Sequence, residues 1–269
     1  MRKYTYTNKI AVITGGNSGI GLYTAQALQH SGFTVYELSR RNIQYSGIIH
    51  IYADITDETL VSHAIQQIIE KERRIDILIN CAGFGISGAV EFTESIDVKR
   101  QMDVNFFGMV YATKSVLPIM RQIGKGRIVN ISSVAAIAPI PFQTYYSVSK
   151  AAINAYSAAL ANEVKPYGIS VTAVLPGDIA TEFTQSRNKS ALGDIEYNGR
   201  ISRSVTKMEQ DEQSGMCPVK AGLYIAKIAQ KKKVKPMYTI GFTYKCISLL
   251  VKFLPCSFVN WLIGFLYSR

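Results

Sequence analysis

Short apolar runs rich in β-branched residues alternate with helical patterns along this chain, and that alternation restricts the fold more than any other feature. Ile10 to Thr14 (IAVIT) is bounded by glycines, as a buried parallel strand would be. Ile20 to Ser31 then reads as a helix, Thr34 to Leu38 as a second strand and Ile48 to Tyr52 as a third. Leu60, Val61, Ala64, Ile65, Ile68 and Ile69 repeat at helical spacing behind a Thr56 or Asp57 cap. Ile75 to Ile79 is a fourth strand, followed by one long helical region from about Val98 to Ile123. Arg127 to Ile131, a helix from about Thr144 to Tyr167, and Ser170 to Leu175 complete the series. Such βαβ repetition predicts an α/β fold, one doubly wound domain with a mostly parallel sheet covered on both faces and joined by right-handed crossovers.

Between Ile179 and Pro218 the composition turns polar and mixed, which reads as an insertion or flexible substrate lid (179–218). Val219 to Gln230 resumes as a helix and Met237 to Ile240 as a last strand. The expected organisation is a catalytic domain over 1–241 and an apolar, basic, amphipathic helical tail over 242–269. With 48% hydrophobic and 18% charged residues, 269 residues bury a sizeable core, which excludes overall disorder. The longest apolar stretch is broken by Lys252, Pro255 and Asn260, which excludes a polytopic membrane protein. The N-terminus lacks the long apolar region of a secretory signal, so a cytoplasmic location is expected.

The four cysteines, Cys81, Cys217, Cys246 and Cys256, have neither metal-ligand spacing nor disulfide density and read as reduced thiols. His30, His50 and His63 are scattered, and no metal is expected. The net charge of +11 raises nucleic acid as a partner, but its distribution argues otherwise. From Lys227 onward stand Lys227, Lys231, Lys232, Lys233, Lys235, Lys245, Lys252 and Arg269 with no acid, so +8 of the +11 lies there. Mixed with Phe242, Phe253, Phe258, Trp261 and Phe265, these cations suit an anionic bilayer surface better than a phosphate groove. The segment 242–269 is read as lying in the plane of a membrane surface, packing on the domain or burying itself in a dimer, and nucleic acid is not expected.

The chemistry starts at the loop after the first strand, Thr14-Gly15-Gly16-Asn17-Ser18-Gly19-Ile20-Gly21. A glycine-rich turn opening a helix places backbone N–H groups and the helix dipole where a pyrophosphate binds. At the end of the second strand, where an acid would bind the ribose 2′-OH of NAD, stands Ser39-Arg40-Arg41. A serine with two arginines offers partners to a 2′-phosphate, so NADP(H) is the expected cofactor, with Glu37 the one nearby acid that opposes it.

With this loop the sequence resembles the short-chain dehydrogenase/reductase family, whose glycine pattern is TGxxxGxG, and particularly its tail-bearing hydroxysteroid and retinol dehydrogenase-like members. The other motifs follow in order over residues 9 to about 182: Asp54 in ADIT, Asn80-Cys81-Ala82-Gly83, Asn105 in DVNFFG, Ser133, Tyr146-x-x-x-Lys150, and Pro176-Gly177 with Thr181. The resemblance implies a Rossmann-type fold. It also implies that Gly15, Asn17, Ser18, Gly19, Ile20, Gly21, Ser39, Arg40, Arg41, Asp54, Ile55, Asn80, Ala82 and Gly83 contact the cofactor. Asn105, Tyr146, Lys150, Pro176, Gly177, Ile179 and Thr181 would join them at the nicotinamide end.

The resemblance makes Asn105, Ser133, Tyr146 and Lys150 the catalytic set, and the chemistry explains the types. Interconverting a carbonyl and a carbinol by hydride transfer needs an acid/base working near neutral pH. Tyrosine is too weak an acid for this unless a cation lowers its pKa, a task expected of Lys150 and of an oxidised nicotinamide. Lys150 would also hold the nicotinamide ribose, Ser133 would polarise the substrate oxygen, and Asn105 would hold a water linked to Lys150. Ser132 and Tyr145 are read as packing residues.

Apolar residues after Ser133 (VAAIAPIPF), with Ile179 and Phe183, predict a greasy pocket. The resulting reading is an NADP(H)-dependent oxidoreductase interconverting a secondary alcohol and a ketone on a lipophilic substrate: a hydroxysteroid, a retinoid or an oxo-lipid. Two alternatives stand beside it, a 3-oxoacyl-carrier-protein reductase and a non-catalytic dinucleotide-binding sensor. A homodimer or homotetramer is expected through the helices bearing Asn105 and Tyr146, the latter rich in alanine.

Overall fold

The structure is a computed structural model and describes residues 9–267. Residues 1–8, 268 and 269 lie outside the described residues, with Arg269 of the basic count and the outer ends of the expected domain and tail.

The first half runs β1 (Lys9–Thr14), α1 (Gly19–His30), β2 (Phe33–Ser39), β3 (Ile48–Tyr52), α2 (Glu58–Glu72), β4 (Ile77–Asn80), β5 (Ile86–Ser87), α3 (Ser95–Met102) and α4 (Gly108–Ile123). Then come β6 (Gly126–Ile131), α5 (Thr144–Val164), β7 (Ile169–Pro176), α6 (Phe183–Ser186), β8 (Asn188–Lys189), α7 (Arg200–Gln213), α8 (Pro218–Ala229), β9 (Met237–Ile240), α9 (Phe242–Phe253) and α10 (Cys256–Tyr267). Seven strands form one parallel sheet in the order β3-β2-β1-β4-β6-β7-β9, and β5 pairs with β8 separately. This is the doubly wound Rossmann-type architecture that the repetition predicts.

Alternate side chains of each strand serve opposite layers. Ile10 and Val12 of β1 pack with Val61, Ile65, Val116 and Leu160 from α2, α4 and α5, whereas Ala11 and Ile13 pack with Leu28 and Ile225 from α1 and α8. Both faces being covered, the strands read as continuous apolar runs rather than as alternating ones. The order reverses between β1 and β4, so a crevice opens at their C-terminal ends, where ligands of such sheets bind.

Three local expectations are refined. Asp57 caps α2, its carboxylate accepting from the Thr59 and Leu60 N–H groups, while Thr56 bonds Asp54 instead. The fourth strand starts at Ile77, and Asp76 before it is tied to both neighbouring strands: its N–H donates to the Ile10 carbonyl, its carbonyl accepts from Arg127 N–H, and its carboxylate accepts from Ile10 N–H and Arg74. The single helix expected over 98–123 is two, α3 and α4, separated by a π-helical turn at Asp103–Phe107. That turn holds Asn105, whose side chain bonds outside the helix.

The polar segment after Ile179 carries α6, β8 and α7. Ile201, Val205 and Met208 on the apolar stripe of α7 pack with Ala89 and Phe142 in a small core of their own. The tail helices fold back over the C-terminal end of the sheet, where Tyr244 and Ile247 pack on Val134, Ala173 and Leu175. The lysine run at 231–235 lies at the other end of the sheet, beside the start of β6, where Arg127 donates to the Lys231 carbonyl. The basic and apolar parts of the C-terminal region are thus largely separated in space.

Candidate active site

The loop between β1 and α1 is held by the neighbouring strand: the Thr14 hydroxyl accepts from the Cys81 and Ala82 N–H groups at 3.1 and 3.3 Å. Its glycines are sterically required at two points. A Cβ on Gly21 would lie 2.2 Å from the Gly15 carbonyl oxygen, and Gly15 itself has φ +66° with only 2.9 Å to the Ala82 Cα. The Ser18 side chain makes no capping bond to α1, so the helix N-terminus keeps its orphan donors for a ligand. These features fit a dinucleotide pyrophosphate.

A cavity of about 1080 Å³ starts here and runs the length of the crevice. Of the residues expected at the cofactor, Gly15, Asn17, Ser18, Gly19, Ile20, Gly21, Ser39, Arg40, Arg41, Asp54, Ile55, Ala82, Gly83, Tyr146, Lys150, Pro176, Gly177, Ile179 and Thr181 line it. Asn80 and Asn105 do not. The Asn80 amide turns into the core, donating to the Thr113 hydroxyl and to Asn130 Oδ1 at 2.8 Å, and so braces β4 against β6.

At the end of β2 the Ser39 hydroxyl accepts from Asn17 Nδ2 at 2.9 Å, and Arg40 stands 3.7 Å from Asp54. Burial works against the Asp54 charge, but bonds from Thr56 and the nearby Arg40 together hold its carboxyl below the usual range. Glu37, the acid that opposed the cofactor reading, is buried and does not line the cavity. It is hydrogen-bonded to His50 and Ser39, and desolvation pushes its pKa up.

Further along the cavity stand Ser133, Tyr146 and Lys150. Lys150 lies one turn after Tyr146 on α5, its Nζ 5.6 Å from the Tyr146 ring centre and donating to the Ile131 carbonyl at 3.0 Å. Ser133, beyond the end of β6, accepts from the Ala135 N–H at 3.1 Å and lies near enough to the Tyr146 hydroxyl to favour its ionised form. Asn105 is buried behind them: its Oδ1 accepts from Phe84 N–H, and its Nδ2 donates to the Phe84 carbonyl and the Ser149 hydroxyl, all at 3.0 Å. Ser132 donates to the Lys150 carbonyl, and the Tyr145 hydroxyl points to Val90, so neither has a part at the reacting end.

The Tyr146 titration departs from expectation. Desolvation pushes its hydroxyl up to about 12, opposed by the nearby Ser133 hydroxyl and Arg187 and reinforced by Glu212 and Asp178. Burial also disfavours the Lys150 ammonium and brings its pKa down to about 8. The result is a neutral tyrosine that holds its proton through neutral pH.

The far wall escaped sequence reasoning. Ile247, Leu250, Val251, Leu254, Leu262 and Leu266 of α9 and α10 line the cavity, so the tail encloses the site. The carboxylates of Asp178 and Glu212 line it as well, in addition to Asp54, Asp103 and Glu182. Glu212 is engaged by Arg187 and Thr184, whereas Asp178 accepts from the neutral Tyr244 hydroxyl. The only sequence signals for this wall were the apolar spacing of the tail and the position of Asp178 next to Pro176-Gly177.

The family model described as short chain dehydrogenase matches residues 9–192. The 3-ketodihydrosphingosine reductase of Bacteroides thetaiotaomicron is 42% identical over 243 residues, covering 87% of this chain and 90% of the relative. A short-chain dehydrogenase from Streptomyces avermitilis superposes with TM-score 0.84 at 25% identity, covering 97% of both chains. ElxO with NADP bound superposes with TM-score 0.75 at 26% identity, over 89% of this chain and all of ElxO. The crevice geometry and these likenesses agree: the chain belongs to the short-chain dehydrogenase/reductase family of nicotinamide-dinucleotide oxidoreductases.

Proposed function

We propose that the protein is an NADPH-dependent reductase of a long-chain oxo-lipid, of the 3-ketodihydrosphingosine type, with Ser133, Tyr146 and Lys150 at the reacting carbonyl. The observation that carries this reading is one continuous cavity: glycines and arginines at one end, an apolar tail-built chamber at the other, and Tyr146 between them. Arg40 and Arg41 at the ribose end, with Glu37 turned away, favour the 2′-phosphate.

When bound, the reduced nicotinamide supplies the hydride. Ser133 donates to the carbonyl oxygen and polarises it. Tyr146 delivers its O–H proton to that oxygen as the carbinol forms, and Lys150 favours the resulting tyrosinate and holds the nicotinamide ribose. Asn105, fixed by Phe84 and Ser149, keeps the π-helical turn open beside Lys150 and holds the water through which the proton is replaced.

Among the candidate substrates, Asp178 in the cavity favours an oxo-sphingoid base. Asp178 offers a negative charge to an ammonium adjacent to the carbonyl, which an oxo-sphingoid base carries and a steroid or retinoid lacks. The same carboxylate repels the phosphate linker of an acyl-carrier substrate. Oligomerisation through α4 and α5 is supported by the exposed Phe107 and Val148 and by the small exposed Ala151, Ala155 and Ala158. The exposed apolar residues of α9 and α10 support peripheral contact with a membrane.

The test is consumption of NADPH, with NADH as control, against 3-oxosphinganine, a steroid ketone, retinal and a 3-oxoacyl thioester. Oxidation of NADPH with 3-oxosphinganine alone is the expected result. Preference for the thioester would favour the carrier-protein reading. Tight NADPH binding without turnover on any of them would favour a sensor.

A further inference from the structure

The way into the cavity is set by the tail. On α10, Leu262 and Leu266 line the cavity, whereas Phe258, Trp261 and Phe265 form an outer row whose successive rings lie 5.7 and 5.9 Å apart. Leu250 of α9, with Leu262 and Leu266, belongs to both surfaces: these three line the cavity and are 54%, 38% and 52% exposed. The rim of the cavity is therefore apolar, and it opens among the outward apolar side chains of the same two helices, including Phe253 at 78% exposure.

Length and charge identify what meets this face. No helix among the described residues is long and apolar enough to cross a membrane. Each tail helix has 12 residues, about 18 Å at the usual rise, against a hydrocarbon core of roughly 30 Å. A helix pair of this kind lies in the plane of the interface. Lys245 and Lys252, two turns apart on α9 and both exposed, border the apolar arc, and the last carboxylate of the chain before them is Glu212. Lys245 also stands over the Tyr224 ring at 5.3 Å. A second copy docked face to face would bring these lysines together with no acid from either tail, while anionic lipids complement them.

We infer that α9 and α10 dock on an anionic bilayer and that the lipid substrate passes from it into the cavity between Leu250, Leu262 and Leu266. This rests on the oxo-lipid reading and adds the route. A lipid entering here keeps its chain in apolar surroundings throughout, with its carbonyl end leading toward Tyr146.

Trp261 is the only tryptophan, so its fluorescence reports this face alone. The full chain is titrated with phosphatidylcholine vesicles with and without about a third of phosphatidylglycerol, and with vesicles brominated in the acyl chain. A blue shift on the anionic vesicles and quenching by the brominated ones are expected. Lys252→Glu should weaken the vesicle affinity by about 30-fold, in keeping with roughly 1 kcal/mol for the lost basic residue and as much again for the reversed charge. The same variant should slow turnover of substrate presented in anionic vesicles while leaving turnover of a short, water-soluble ketone unchanged. An unshifted Trp261, or a shift that follows protein concentration without lipid, would overturn the inference, the latter in favour of a second copy. A vesicle-bound protein inactive on every ketone would instead count against the proposed reaction, and binding with equal rates on both presentations against the route.

Discussion

The Lys150 ammonium lies 5.6 Å from the centre of the Tyr146 ring and donates its hydrogen bond to the Ile131 carbonyl. Both side chains sit deep enough for burial to dominate their titrations, Lys150 moving down to about 8 and Tyr146 up to about 12. Each shift disfavours charge. A tyrosine that keeps its proton through neutral pH is suited to giving it to a carbonyl, which is the reductive direction.

Tyr146→Phe is therefore expected to lower kcat about 10²–10⁴-fold. The phenyl ring keeps its place against Phe183, whose centroid is 5.7 Å away, so NADPH affinity stays within a few-fold. Steady-state rates and a cofactor fluorescence titration check both halves. Turnover above a tenth of the parent would remove Tyr146 from the chemistry.

Lys150 also leaves a signature in stability. Its folded pKa of about 8 lies below the ordinary lysine value of 10.5, so between those values the unfolded chain binds more protons and stability rises with pH. Below about 8 both states are protonated and the cost of burying the ammonium is constant. Lys150→Met lacks this gain. The difference in unfolding midpoint between parent and variant should move in favour of the parent as pH rises from about 8 to 10, with Cys81 and Tyr146 present in both proteins. A difference that does not change with pH would refute the shift.

The sheet and the cofactor end were legible because their signals are local. A buried parallel strand such as IAVIT and a glycine turn needed at Gly15 and Gly21 leave their marks within a few residues. Asn105 was legible as a motif but not as a π-helical turn, since what opens the helix is a bond to Phe84, 21 residues away. Asn80 was placed at the cofactor because its neighbours are there; its amide turns to Asn130, a partner supplied by another strand. The tail was seen as apolar and basic, yet its inner face depends on α9 folding back onto Gly177, a contact between residues far apart in the chain. The Tyr146 shift was expected downward from charge, and burial, which sequence does not report, reversed it.

The proposed preference for NADPH rests on Arg40. Its side chain is 65% exposed and 3.7 Å from Asp54, so a 2′-phosphate would compete with water and with that carboxylate for the guanidinium. Arg40→Ala should lower kcat/KM for NADPH about tenfold, at the modest end of charge-assisted bonds. With NADH the value should change little. Equal losses with both dinucleotides would place Arg40 outside 2′-phosphate recognition.

The tail is fitted to Gly177. A Cβ there would lie 2.0 Å from the Tyr244 ring, which leaves no room without moving α9. Gly177→Ala should displace Tyr244, break its bond to Asp178 and loosen the two tail helices. Limited proteolysis after Ile240 should quicken, and KM for a long-chain ketone should rise more than KM for a short one. An unchanged cleavage rate would mean that the tail is held elsewhere.

Asp178 supplies the sharpest test of substrate class. Burial raises its pKa, Tyr244 and Lys207 oppose this, and Glu212 and Asp211 add to it, so a cation arriving beside it favours the carboxylate and gains by doing so. Asp178→Asn keeps an oxygen to accept from Tyr244 and so preserves the tail contact while removing the charge. KM for an amino ketone such as 3-oxosphinganine should rise about tenfold, the size of one charged hydrogen bond. KM for a neutral long-chain ketone should stay within twofold, because the apolar wall of α9 and α10 is intact. Parallel losses on both substrates would assign Asp178 to holding Tyr244 rather than to reading an ammonium, and a neutral oxo-lipid would then be the better substrate.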